Sequence, residues 1–130
     1  NGVLVSSEIA RGLDIFELLP SEVLSQNEID AALSVRLEQL NAQGQPKFEW
    51  PYTFALARAY VDQLERSRSM TPARVTSARA TLDSAERASG AARGSALRSL
   101  AREIAAAADQ SADPVKTRML AEAVRGLSDS

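Results

Sequence analysis

Apolar and polar residues alternate over the first stretch of the chain. Residues 3–9 read VLVSSEI, rich in β-formers. Residues 13–18 read LDIFEL, with Leu13, Ile15 and Glu17 on one side and Asp14, Phe16 and Leu18 on the other. Ala10, Arg11 and Gly12 lie between them, so two short runs around a glycine-containing turn predict a β-hairpin. Pro20 ends the second run, because proline cannot donate to a ladder. A lone hairpin is marginal in water; this one needs a sheet to join or helices to cover it.

From Ser21 onward the period becomes helical. Ser25 followed by Glu28 is a capping box, in which the serine oxygen meets the first free amides of a helix. Ile29, Leu33, Leu37 and Leu40 then form one apolar stripe, with Ala32 and Arg36 at its edge, which predicts a helix over about 26–41. The run from Asn41 to Pro46 stops it and opens a loop over 41–51. Pro46 and Pro51 favour an extended course between them, through Lys47, Phe48, Glu49 and Trp50. A second helix, about 52–68, carries Phe54, Ala57, Val61 and Leu64, with Tyr60 beside the stripe. Thr71-Pro72 and Asp113-Pro114 each place a capping side chain before a proline at the first helical position. They open the third and fifth helices. Val75, Ala78, Leu82 and Ala85 mark the buried face of the third, which Gly90 should stop. The fourth, about 91–109, buries Leu97, Leu100, Ala101, Ile104 and Ala108, although Gly94 weakens its first turn. The fifth carries Val115, Met119, Leu120, Ala123, Val124 and Leu127. The expected fold is mainly α: a hairpin over 1–20, then a helical domain over 21–130, a bundle of about five amphipathic helices. Alanine-rich faces and short connections favour antiparallel neighbours. The stripes are wider than coiled-coil seams.

Composition narrows the chemistry. The 130 residues fit one domain that can bury about 68% of its unfolded surface. With no cysteine and no histidine there is no disulfide framework, thiol nucleophile, imidazole zinc site or histidine-based triad. Net charge is −2, but it is uneven: residues 1–50 hold eight acids against three bases, and residues 51–130 hold nine against twelve. No run of about 18 apolar residues is present, so no transmembrane helix is expected, and no signal peptide is seen. Asn1 at the first position reads as a processed product or a piece of something longer.

Candidate sites each have an ordinary explanation. Glu28 is expected to cap, and Glu22, Asp30 and Glu38 to form a solvated face. Asp109 to Asp113 lacks the glycine and final glutamate of a calcium loop, and Asp113 serves as a cap. The rings from Phe48 to Tyr60 could stack ligands, but are expected to cover the hairpin and fill the gap between sheet and bundle. Arg66, Arg68, Arg74, Arg79, Arg87, Arg93, Arg98 and Arg102 interleave with Glu65, Asp83, Glu86 and Glu103, as on a solvated face of paired charges. The run from Gly90 to Gly94 lacks the lysine and the preceding strand of a phosphate loop. No cofactor, metal or nucleic-acid partner is expected.

The stretch from Gly2 to Leu18 resembles the last repeat of bacterial LVIVD-repeat proteins, YxTEIxRGLDVxxL, and Pro20 to Ala32 resembles the PSExLxxNEIxAA that follows it. Trp50-Pro51, the run from Ala57 to Glu65 and the alanine-rich helical end are similar to the tails of those proteins. The family's aromatic is Leu4 or Val5 here, and its threonine is Ser7. The resemblance implies a secreted, periplasmic or cell-surface protein with β-propeller-like repeats ahead of this segment, and a non-catalytic helical cap at their end. Leu13, Ile15, Phe16, Ile29, Phe48 and Trp50 are the expected junction. The alternatives are a subunit that recruits another chain, or a second copy of itself, through the hairpin edge, and an enzyme acting on a glycan through carboxylates alone.

Overall fold

A computed structural model describes residues 3–10, 12–37, 39, 41–45 and 47–129. Strands β1 (Val3–Glu8) and β2 (Gly12–Glu17) pair antiparallel, with Leu4 opposite Phe16, Val5 opposite Ile15 and Ser7 opposite Leu13. Gly12 takes a φ of 95°, a conformation that costs glycine little and closes the turn. The chain then forms helices α1 (Gln26–Ser34), α2 (Phe54–Arg66), α3 (Pro72–Arg87), α4 (Gly90–Ala107) and α5 (Pro114–Ser128). The mainly α architecture with an N-terminal hairpin is the one the pattern of residues predicts.

Helices α2 to α5 close into a ring. Each packs on the next, and α5 returns to α2. Short connections make such neighbours antiparallel. Each helix sends one leucine to the centre: Leu64, Leu82, Leu97 and Leu120 are all fully buried, and Val61, Val75 and Val124 fill between them. A leucine so buried contributes about 1.5–3 kcal/mol. Buried alanines, among them Ala57, Ala78, Ala85 and Ala123, bring the helix backbones close. Helix α1 lies outside this ring and packs on α2 alone.

The caps sit where the sequence puts them. The Thr71 and Asp113 side chains accept from Arg74 N and Lys116 N, with Pro72 and Pro114 in the first turn. Thr53, which the sequence reading overlooked, caps α2 by accepting from Leu56 N at 3.1 Å. Gly90 does not stop α3, which ends at Arg87 with Ala88 as its cap; with a φ of 59° it is instead the first residue of α4.

Other expectations also need correction. The first helix stops at Ser34, well short of 41. The Ser34 hydroxyl donates to Ala31 O at 2.6 Å, and Val35 is already extended. Beyond that point the stripe is not buried: Leu33 and Leu37 are both exposed, Leu37 lining an open cleft with Phe48 and Pro51, and a helix draws most of its stability from packing its apolar face. Leu40 and Glu38 lie outside the described residues. On α5, Val115 and Met119 face solvent, at 66% and 39% exposure, because Thr117, Leu120, Ala121, Val124 and Leu127 take the inward face. Residues 47–53 form no regular element, so the second helix starts at Phe54, two residues later than expected.

Candidate functional site

The hairpin is the unsatisfied part of the molecule. Alternation puts Val3, Val5, Leu13 and Ile15 on one face, which is mostly apolar, and Leu4 and Phe16 beside Ser6 and Asp14 on the other, which is mixed. All six apolar side chains are exposed, from 48% at Val3 to 66% at Ile15. Among the described residues no helix packs against either strand, and neither strand has a third beside it. The outer edges therefore present unpaired N–H and C=O groups, a template for another strand.

The expected cover of rings does not form. Leu13, Ile15 and Phe16 stay open, and Phe48, Trp50 and Tyr52 are themselves 44–49% exposed. Trp50 and Tyr52 instead line a cleft of about 630 Å³ on the bundle, with Leu56, Tyr60 and Met119. Tyr52 is held there twice. Its hydroxyl donates to Glu122 Oε1 at 3.2 Å, and the carboxylate raises the phenol's pKa above its ordinary value. Its ring lies on bare backbone at Gly126, where an added Cβ would fall 2.0 Å from the ring. Tyr52 ties the 47–53 segment to α5, where Gly126 leaves a seat for its ring.

Of the six residues expected at a junction, the structure brings Leu13 and Ile15 together on one hairpin face and puts Phe16 on the other. Ile29 is buried at 7% exposure in the helix that packs on α2, so it is spent inside the chain. Phe48 and Trp50 sit on the separate 47–53 segment.

The route from hairpin to bundle runs through α1, and α1 is fastened by charge. Glu28 closes its own capping box by accepting from Ser25 N at 2.7 Å. The same carboxylate accepts both Arg66 guanidinium nitrogens, at 3.1 and 2.7 Å, and Gln63 Nε2 at 2.8 Å. Lys116 donates to Gln63 Oε1, which extends the network to α5. The Arg66 bonds, with help from Ser25 and Gln63, hold the Glu28 pKa down at about 2 against partial desolvation. Beside it Asn27 donates to Asp62 at 2.8 Å, and Arg79 spans Asp62 and Glu65 at 2.6 and 2.7 Å. Arg58 spans Asp83 and Glu86.

These pairs tie helices together; the expectation of pairs along one helix face is corrected accordingly. Antiparallel neighbours align whole rows of side chains, a relation that spacing within one helix does not reveal. Asn27, Gln63, Asp62, Arg58 and Lys116 were all missed for that reason. Among the described residues no three acidic side chains gather as metal ligands would. Among the described residues no helix is long and apolar enough to cross a membrane. Compared with known protein families, curated proteins and solved structures, the chain shows no match.

Proposed function

We propose that this chain is a non-catalytic structural and interaction module, the helical cap at the end of a repeat scaffold. The hairpin would complete the last sheet of that scaffold. The observation that carries this reading is the hairpin itself: two strands with one mostly apolar face, open edges and, among the described residues, no helix against them. An antiparallel sheet with one apolar face packs that face on a core, and its open edges accept a further strand. The resemblance of residues 2–32 to a terminal LVIVD repeat names the occupant: the strands that precede the hairpin in the same protein. On that resemblance the protein works outside the cytoplasm, in the periplasm or at the cell surface. Repeat arrays need an atypical element to close an exposed end, and the α2–α5 ring has the self-contained core to serve as one.

The acids support this reading over a carboxylate enzyme. Glu28, Asp62, Glu65, Asp83 and Glu86 are each engaged by an arginine, which suits holding helices together. The open strand edges also favour a second reading, in which the hairpin recruits a strand from another chain.

The intact mass of the natural protein, taken together with light scattering on the 130-residue chain, separates them. A natural mass well above that of 130 residues supports the cap. A natural product of this length that stays monomeric at every concentration overturns both readings. One that assembles as concentration rises selects the second.

A further inference from the structure

Helices α4 and α5 line a groove of about 620 Å³. Its walls carry Arg98 and Arg102 from α4 and Arg118 and Arg125 from α5, against two acids, Glu122 and Asp129. Glu122 is drawn toward Tyr52. The floor includes Ala101 and Ala121, both buried, so no large side chain fills the space. Arg118 pairs with Asp109. Among the described residues Arg98, Arg102 and Arg125 have no carboxylate partner, whereas Arg58, Arg66 and Arg79 all do. Gly94 leaves room for the Arg98 guanidinium, whose Nη1 lies 3.0 Å from where a Cβ would stand.

We propose that this groove binds a linear oligophosphate. Helical rise places the two α4 arginines about 6 Å apart and the two α5 arginines about 10 Å apart along facing walls. Guanidinium forks bind phosphate oxygens bidentately, and two facing rows can hold one anion from both sides. Charge density selects the ligand: an extended acidic peptide offers only one carboxylate on a given face per about 6.6 Å, a repeat that the rise of about 6 Å from Arg98 to Arg102 would also fit. A condensed phosphate chain carries charge on every link and in all directions, which suits the guanidiniums of Arg98, Arg102 and Arg125, unpaired among the described residues, on two walls. The net charge of −2 for the whole chain hides this local surplus.

The test is calorimetric titration of the 130-residue chain with tripolyphosphate, orthophosphate and hexaglutamate at fixed ionic strength. Tripolyphosphate should bind at least about tenfold more tightly than either of the others, and the affinity should fall as salt is added. Arg98→Gln combined with Arg102→Gln should weaken binding about tenfold or more, as expected for lost charge-assisted bonds. Arg36→Gln combined with Arg87→Gln removes two exposed charges outside the groove and should leave binding unchanged. Circular dichroism checks that both variants fold. No binding, equal binding of orthophosphate or hexaglutamate, or equal loss in the two double variants would overturn the proposal.

Discussion

Replacing Glu28 with glutamine keeps the shape of the side chain and removes its charge. That charge is the pivot of α1: the carboxylate, only 10% exposed, closes the capping box and accepts a two-pronged bond from Arg66. A fall in pKa from 4.5 to about 2 corresponds to a ceiling of about 3 kcal/mol in favour of the docked, ionised state. The Arg66 side chain is 36% exposed, so solvent screens part of it, and about 1–2 kcal/mol is the working figure. The folded-state pKa is depressed, so this stabilisation is present in full above pH 4.5 and is lost as pH falls toward 2. Because α1 packs on α2 alone, the loss should appear as local opening of α1 with the α2–α5 ring intact. The assay is native-state hydrogen exchange. At pH 7, Glu28→Gln should lower protection of the Asp30–Ser34 amides about tenfold, the equivalent of about 1.4 kcal/mol, and leave the α4 amides unchanged. In the wild type, α1 protection corrected for intrinsic exchange should decline from pH 4.5 to 2, and in the variant it should stay level. Equal α1 protection in the two proteins at pH 7, or parallel pH profiles, would refute the reasoning.

Three further outcomes follow from the packing. Gly126→Ala, which in an open helix would stabilise by about 1 kcal/mol, should destabilise here because its methyl displaces the Tyr52 ring; in a Tyr52→Ala background the sign should reverse in urea titrations. Leu82→Ala opens a cavity at a fully buried site and should cost about 2–5 kcal/mol in a single cooperative transition, measured by circular dichroism in urea. Ile15→Ser, on the uncovered hairpin, should shift the global unfolding free energy by less than about 0.5 kcal/mol; a loss comparable to that of Leu82→Ala would mean the hairpin does pack on the bundle.

Local signals in the sequence proved reliable where one element decides the matter. Thr71-Pro72 and Asp113-Pro114 start α3 and α5, and the Ser25–Glu28 box starts α1, because a cap depends only on residues within one turn. The stripes of α3 and α4 are buried as read, since both helices pack on two neighbours. What failed depended on what lies opposite. The stripe through Leu33 and Leu37 is apolar, yet it stays exposed, and the helix ends early. The ring of Tyr52 has a seat on α5, made by a glycine 74 residues further on, that no local pattern announces. The pairing of Arg66 with Glu28 and the facing rows of Arg98 with Arg118 need the helix arrangement before they can be seen at all.

The central claim is that the hairpin is one end of a larger sheet. Hydrogen exchange over residues 3–17, compared between the natural protein and the 130-residue chain, tests it most directly. The outward-facing amides of the one strand that joins that sheet should be protected in the natural protein to the level of the α2–α5 amides, and open in the isolated chain. Equally fast exchange of those amides in both would contradict it.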